Sequence, residues 1–174
     1  MIHSFHFISG LPRSGSTLLS AILRQNPRFH AAMSGPVAGI VDTVLNKMSD
    51  RNEYSVFITD EQRHRIAHGI FDNYYGDEFE SEVIFDTNRL WCGRMHQLKF
   101  LFPQSKVIAC VRSVPWILDS IEKLVRSNTL RPSSIFDYNF DGTVYSRVDR
   151  LVSGSGLVGF AHNALKQAFY SNEA

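Results

Sequence analysis

Gly10, Gly15, Ser16 and Thr17 stand in the spacing G-x-x-x-x-G-x-[ST], inside the run Ser9-Gly10-Leu11-Pro12-Arg13-Ser14-Gly15-Ser16-Thr17-Leu18-Leu19. This is the spacing of a Walker A phosphate loop. Backbone N–H groups in such a glycine turn converge on an oxyanion, and the positive end of the following helix dipole adds to their pull. The lysine that holds the terminal phosphates of a nucleoside triphosphate in that motif is Ser16 here, and the cation of the loop is Arg13. The loop therefore reads as a site for an anion other than a triphosphate.

A second group of anion-binding side chains lies a hundred residues later. Arg112 ends an apolar run and Ser120 follows eight positions on. A guanidinium fork and a hydroxyl donor at that spacing can reach one anion lying over the edge of a strand. The bland alternative is a solvated strand-end arginine beside a helix-surface serine.

The elements that must position these residues follow from the apolar pattern. The run from Phe5 to Ile8 reads as a strand, and Thr17-Leu18-Leu19-Ser20-Ala21-Ile22-Leu23 as the helix after the loop. Phe29 to Met33 suits a short strand, and Pro36 opens a helix carrying Val37, Ile40, Val41, Val44, Leu45 and Met48 on one face. Residues 49–81 read as a helical insert, with a helix over about residues 60–75 on which Ile66, Ile70 and Phe71 share a face. Residues 82–86 and 106–112 are buried-strand patterns, with a helix over 90–102 between them and another starting at Pro115. Trp116, Ile117, Ile121, Leu124 and Val125 give that last helix its apolar face. Residues 127–142 suggest an irregular segment and residues 155–170 a final helix. Alternating strands and helices imply an α/β fold with a parallel sheet, whose ligands lie outside the carboxyl ends of the strands. Those ends carry the 10–17 loop, the 86–89 turn and Arg112.

Composition narrows the class of partner. A chain of 174 residues suffices for a single compact domain, and a formal net charge of +1 argues against a nucleic-acid binder. No apolar run approaches the ~20 residues that a bilayer span requires, so no membrane partner is expected. The two cysteines, Cys92 and Cys110, lack metal-ligand spacing and read as buried free thiols of a cytoplasmic protein. No metal site is expected.

The two anion-binding groups together resemble the sulfotransferase family, and most closely its tyrosylprotein branch. The resemblance rests on Gly10 to Leu18, on Phe102-Pro103-Gln104-Ser105-Lys106 leading into Val111-Arg112, and on Ser120. It implies a P-loop-type three-layer fold with a central parallel sheet and helices on both faces. It further implies 3′-phosphoadenosine 5′-phosphosulfate (PAPS) as co-substrate without a metal. The sulfate end would be held by Pro12, Arg13, Ser14, Gly15, Ser16, Thr17 and Leu18, the 3′-phosphate by Arg112 and Ser120. The implied acceptor is a hydroxyl of a protein tyrosine or a small molecule, and Arg13 would carry catalysis. The tyrosylprotein branch has a catalytic glutamate where this chain has Ser34, and an Asn-Lys-Asp-Pro turn where it has Asp86-Thr87-Asn88-Arg89. Arg89 offers a replacement charge. Asp86 becomes the first candidate for general base, against a helix cap or loop-ordering carboxylate, and His30 the second, against a packing residue. Family members continue past the position of Ala174 into a further strand and helix, so the resemblance implies either a fragment or a strand that is dispensable or supplied by a partner, and a sheet edge exposed by such a truncation would invite a homodimer. A P-loop kinase or NTPase, and a non-catalytic nucleotide-binding module, are the competing readings.

Overall fold

Period-two alternation builds the first strand, β1 (Ser4–Gly10), sending Phe5 and Phe7 to one face of a sheet and His6 and Ile8 to the other. Phe7 and Ile8 are both fully buried, so β1 is covered on both faces, as a parallel strand must be. The computed structural model describes residues 4–76 and 81–127. The readings made for residues 128–174, including the final helix, lie outside them.

The other elements follow in order: α1 (Ser16–Leu23), β2 (Phe29–Ala31), α2 (Val37–Lys47), a 3-10 turn at Glu53–Phe57, α3 (Asp60–Tyr75), β3 (Val83–Thr87), a 3-10 turn at Trp91–Arg94, α4 (Met95–Leu101), β4 (Val107–Cys110) and α5 (Val114–Ser127). The described residues fall into two compact units. One holds residues 4–9, 16–76 and 81–109; the other holds Gly10–Gly15 and residues 110–127.

In the first unit the four strands form one parallel sheet in the order β2-β3-β1-β4. Register sets Phe5 beside Ile84 and Phe7 beside Asp86, and pairs Phe29 with Val83. One face carries Phe5, Phe7 and Ile84 against Val37, Ala38 and Val41 of α2, Phe71 and Tyr75 of α3, and Leu98 and Leu101 of α4. Its centre is aromatic: Phe71 and Phe102 lie 4.8 Å apart and Phe5 and Phe102 4.9 Å, in tilted and edge-on geometries that suit ring quadrupoles. The opposite face receives α1, where the Ser20 hydroxyl shares a buried hydrogen bond of 3.0 Å with Thr87. Helices on both faces of a parallel sheet are the P-loop-type three-layer arrangement expected from the sequence.

Several boundaries shift for physical reasons. The buried line of α3 is Ala67, Phe71 and Tyr75, spaced four apart, while Ile66, expected on that face, is exposed. A reciprocal capping box between Thr59 and Gln62 starts this helix. The helix expected over 90–102 begins instead as a 3-10 turn, with Trp91 at one end bonded to Asp86 of β3 and Arg94 at the other to Asp42 of α2. Neither cysteine is fully buried, and no disulfide joins them. Among the described residues no helix is long and apolar enough to cross a membrane.

Phe71 touches Phe5, Phe7, Trp91 and Phe102. Phe71→Ala is expected to lower unfolding free energy by about 3–5 kcal/mol in urea titrations, whereas a loss under ~1 kcal/mol would contradict this packing.

Candidate functional site

The loop that leaves β1 is shaped by glycine at a place where no side chain fits. Gly10 has φ 155°, and a Cβ there would lie 2.5 Å from the carbonyl oxygen of Cys110 and 2.6 Å from Ser14 Oγ. Backbone meets backbone at this point. Gly15 also has positive φ, at 109°, and a turn bond of 3.1 Å from the Ser14 N–H to the Leu11 carbonyl closes the loop.

Arg13 is the one non-glycine residue with positive φ among the described residues, at 66°. The left-handed conformation costs an L-residue about 1 kcal/mol, so its surroundings must hold it. Two bonds do so. Arg112 Nη1 donates to the Arg13 carbonyl at 2.9 Å, and Arg13 Nε donates to Ser120 Oγ at 3.0 Å. The three side chains that the sequence divides between two anion sites thus meet in one cluster within the second unit. Neither arginine belongs to an ion pair among the described residues; on α5, Asp119 pairs with Lys123 and Glu122 with Arg126. Ser14 Oγ is shielded from solvent and has no hydrogen-bond partner among those residues. Two cations without counter-ions and an orphaned hydroxyl suit an anion carrying more than one charged group.

In the first unit, α1 opens with Ser16, and Thr17 and Leu18 are exposed at its start. The Ser16 carbonyl accepts from the Ser20 hydroxyl at 3.0 Å. Serine in the lysine position therefore leaves the first turn of α1 intact.

Asp86, the first candidate for general base, is wholly buried. Its Oδ2 accepts the Tyr75 hydroxyl and its Oδ1 the Trp91 indole N–H at 2.5 Å. Burial raises its pKa above the ordinary carboxyl range, and the hydrogen bonds from Tyr75 and Trp91 oppose that shift only in part. Both oxygens are paired with buried donors. These contacts suit the loop-ordering alternative weighed against the general-base reading. His30 meets the same network: its ring stands edge-on to Tyr75 at 5.5 Å. Burial, and secondly the charge of Arg24, lower its pKa, so the imidazole is neutral at neutral pH.

What Asp86 orders is the set of turns at the carboxyl ends of β2 and β3. A Cβ on Gly35 would sit 3.0 Å from Asp86 Oδ2, which makes glycine the residue that fits there. The Gly35 N–H donates to the Thr87 carbonyl at 3.1 Å and Asn88 Nδ2 to the Gly35 carbonyl at 2.9 Å. Asn88 Oδ1 accepts from the Leu90 N–H at 3.0 Å. Ser9 Oγ donates to the Arg89 carbonyl at 3.2 Å and accepts the Cys92 N–H at 3.1 Å. The Arg89 side chain itself is exposed, as is Ser34. Sequence reasoning missed Tyr75, Trp91, Asn88 and Ser9; only the Ser-Gly-Pro turn at 34–36 signalled that this corner is tight. Among the described residues no group of three metal-ligating side chains assembles.

Comparison with known proteins adds one finding. The model of the sulfotransferase family matches residues 6–154, and no curated protein matches the chain.

The raised pKa of Asp86 has a definite sign in stability. Its contribution is fully present below the ordinary carboxyl range and is lost as pH rises through the elevated folded value. Thermal unfolding of wild type and Asp86→Asn across pH 3–8 is expected to show the wild-type advantage shrinking as pH rises. A difference that is flat or grows with pH would contradict the buried position.

Proposed function

As the chain belongs to the sulfotransferase family, we propose that it transfers the sulfuryl group of PAPS to a hydroxyl acceptor, a peptide tyrosine or a small molecule. The observation that carries this reading is the cluster of Arg13, Arg112 and Ser120 around a glycine-tight loop. Two cations with spare donors answer a nucleotide with phosphate at two positions better than a single triphosphate chain.

In the reaction the acceptor oxygen forms a bond to sulfur while the bond from sulfur to the bridging phosphate oxygen breaks. The products are a sulfate ester and adenosine 3′,5′-bisphosphate, and the acceptor proton goes to solvent. A loose, in-line transition state puts growing negative charge on the leaving phosphate, while the charge that the transferring group retains is spread over its sulfuryl oxygens. Loop amides from Arg13 to Leu18 and the guanidinium of Arg13 are the groups in this chain that would meet that charge. Donors fixed in advance need no reorganisation as the charge develops, which is the source of their catalytic value. Arg112 and Ser120 would hold the 3′-phosphate. Arg112 commits one of its five N–H donors to the Arg13 carbonyl, and Ser120 keeps its own O–H to donate.

Isothermal titration with adenosine 3′,5′-bisphosphate tests the reading: saturable binding without Mg²⁺ is expected, and Mg²⁺-dependent ATP turnover without such binding would replace it with an NTPase. Arg13→Ala is expected to lower kcat by about 100-fold or more, while Arg112→Ala weakens nucleotide binding and lowers kcat by a smaller factor. Equal, modest effects of the two substitutions on both parameters would contradict this division of work.

A further inference from the structure

Arg112 and Ser120 touch Arg13 itself, on two different parts of that residue. One bond takes the carbonyl of its peptide unit, and the other takes the Nε of its guanidinium. The residue so held has positive φ and is exposed, so its own side chain does not pack it into place. A strained backbone persists when its surroundings over-determine it, and here two bonds from the segment after β4 do so. An Nε–H bonded to a fixed oxygen removes rotamer freedom from a side chain that otherwise samples many orientations. The guanidinium thereby keeps its Nη groups for an external partner and presents them in one direction.

We infer that Arg112 and Ser120 are positioning residues for Arg13. They set its backbone conformation and the aim of its guanidinium, and so act on the sulfate end of the nucleotide through Arg13 as well as on the 3′-phosphate. The inference rests on the sulfuryl-transfer reading for the identity of the ligand, though the contacts stand apart from it. Its consequence is specific. A side chain serving the 3′-phosphate alone is indifferent to a nucleotide that lacks this group, whereas a side chain that aims Arg13 is not.

Adenosine 5′-phosphosulfate, which has the sulfate and no 3′-phosphate, separates the two roles. Ser120→Ala is expected to weaken its binding about tenfold, the effect of losing one hydrogen bond to a charged group. Ser120→Thr, which keeps the hydroxyl, should restore affinity to within about twofold of wild type. In protein labelled with ¹⁵N-arginine, the Arg13 Nε–H resonance is expected to move and lose exchange protection in Ser120→Ala and to remain in Ser120→Thr. Unchanged affinity for adenosine 5′-phosphosulfate in Ser120→Ala would overturn the inference, whatever happens to adenosine 3′,5′-bisphosphate. So would a loss of affinity with the Arg13 resonance unmoved, since Ser120 would then touch the nucleotide directly. If wild type binds neither nucleotide, the transfer reading falls, and the Arg13 resonance alone decides the positioning.

Discussion

A carboxylate buried at the end of a central strand must be given donors, and much of the first unit is organised by that requirement. Moving an ionised carboxyl out of water costs several kcal/mol unless both its oxygens find partners. Asp86 finds the Tyr75 hydroxyl and the Trp91 indole, which draws the last turn of α3 and the turn after β3 onto the same corner of the sheet. Gly35 closes the corner, where a Cβ would lie a tight 3.0 Å from the carboxylate. The same bonds that satisfy the acid fix the exits of β2 and β3, where a parallel sheet carries its chemistry.

The charges of the second unit are arranged the opposite way. Asp86 is internal and satisfied from inside, whereas Arg13 and Arg112 are exposed and have no acidic partner among the described residues. Arg112 donates to the Arg13 carbonyl and Arg13 to the Ser120 hydroxyl, contacts that orient the cations and leave their charge uncancelled. Two cations held in this way suit the negatively charged donor proposed above. The family match over residues 6–154 supports sulfuryl transfer in general.

The sequence was most legible where one backbone requirement selects one residue type. Gly10 and Gly15 announce a turn that only glycine makes well, and the apolar run Phe5 to Ile8 announces a strand. The helix over 60–75 was legible from the spacing of Ile66, Ile70 and Phe71, but its buried line was misjudged, since Ala67 is small and Tyr75 polar and neither stands out as core. Asp86 was visible as an acid ending an apolar run. That pattern alone cannot tell a base from a structural carboxylate, because its donors come from residues 11 positions upstream and 5 downstream in other elements. The cluster of Arg13, Arg112 and Ser120 was half legible: each residue was identified, but their contact with one another spans about a hundred residues of chain and has no local signature.

The central claim is that this site takes a nucleotide by two separate phosphates without a metal. Phosphorus-31 NMR of adenosine 3′,5′-bisphosphate titrated with the protein in excess chelator reads this directly, since each phosphate gives its own resonance. The account predicts that both resonances shift and broaden together, and that excess ATP does not displace the ligand at comparable concentration. Movement of the 5′-phosphate resonance alone, or of neither, would contradict it.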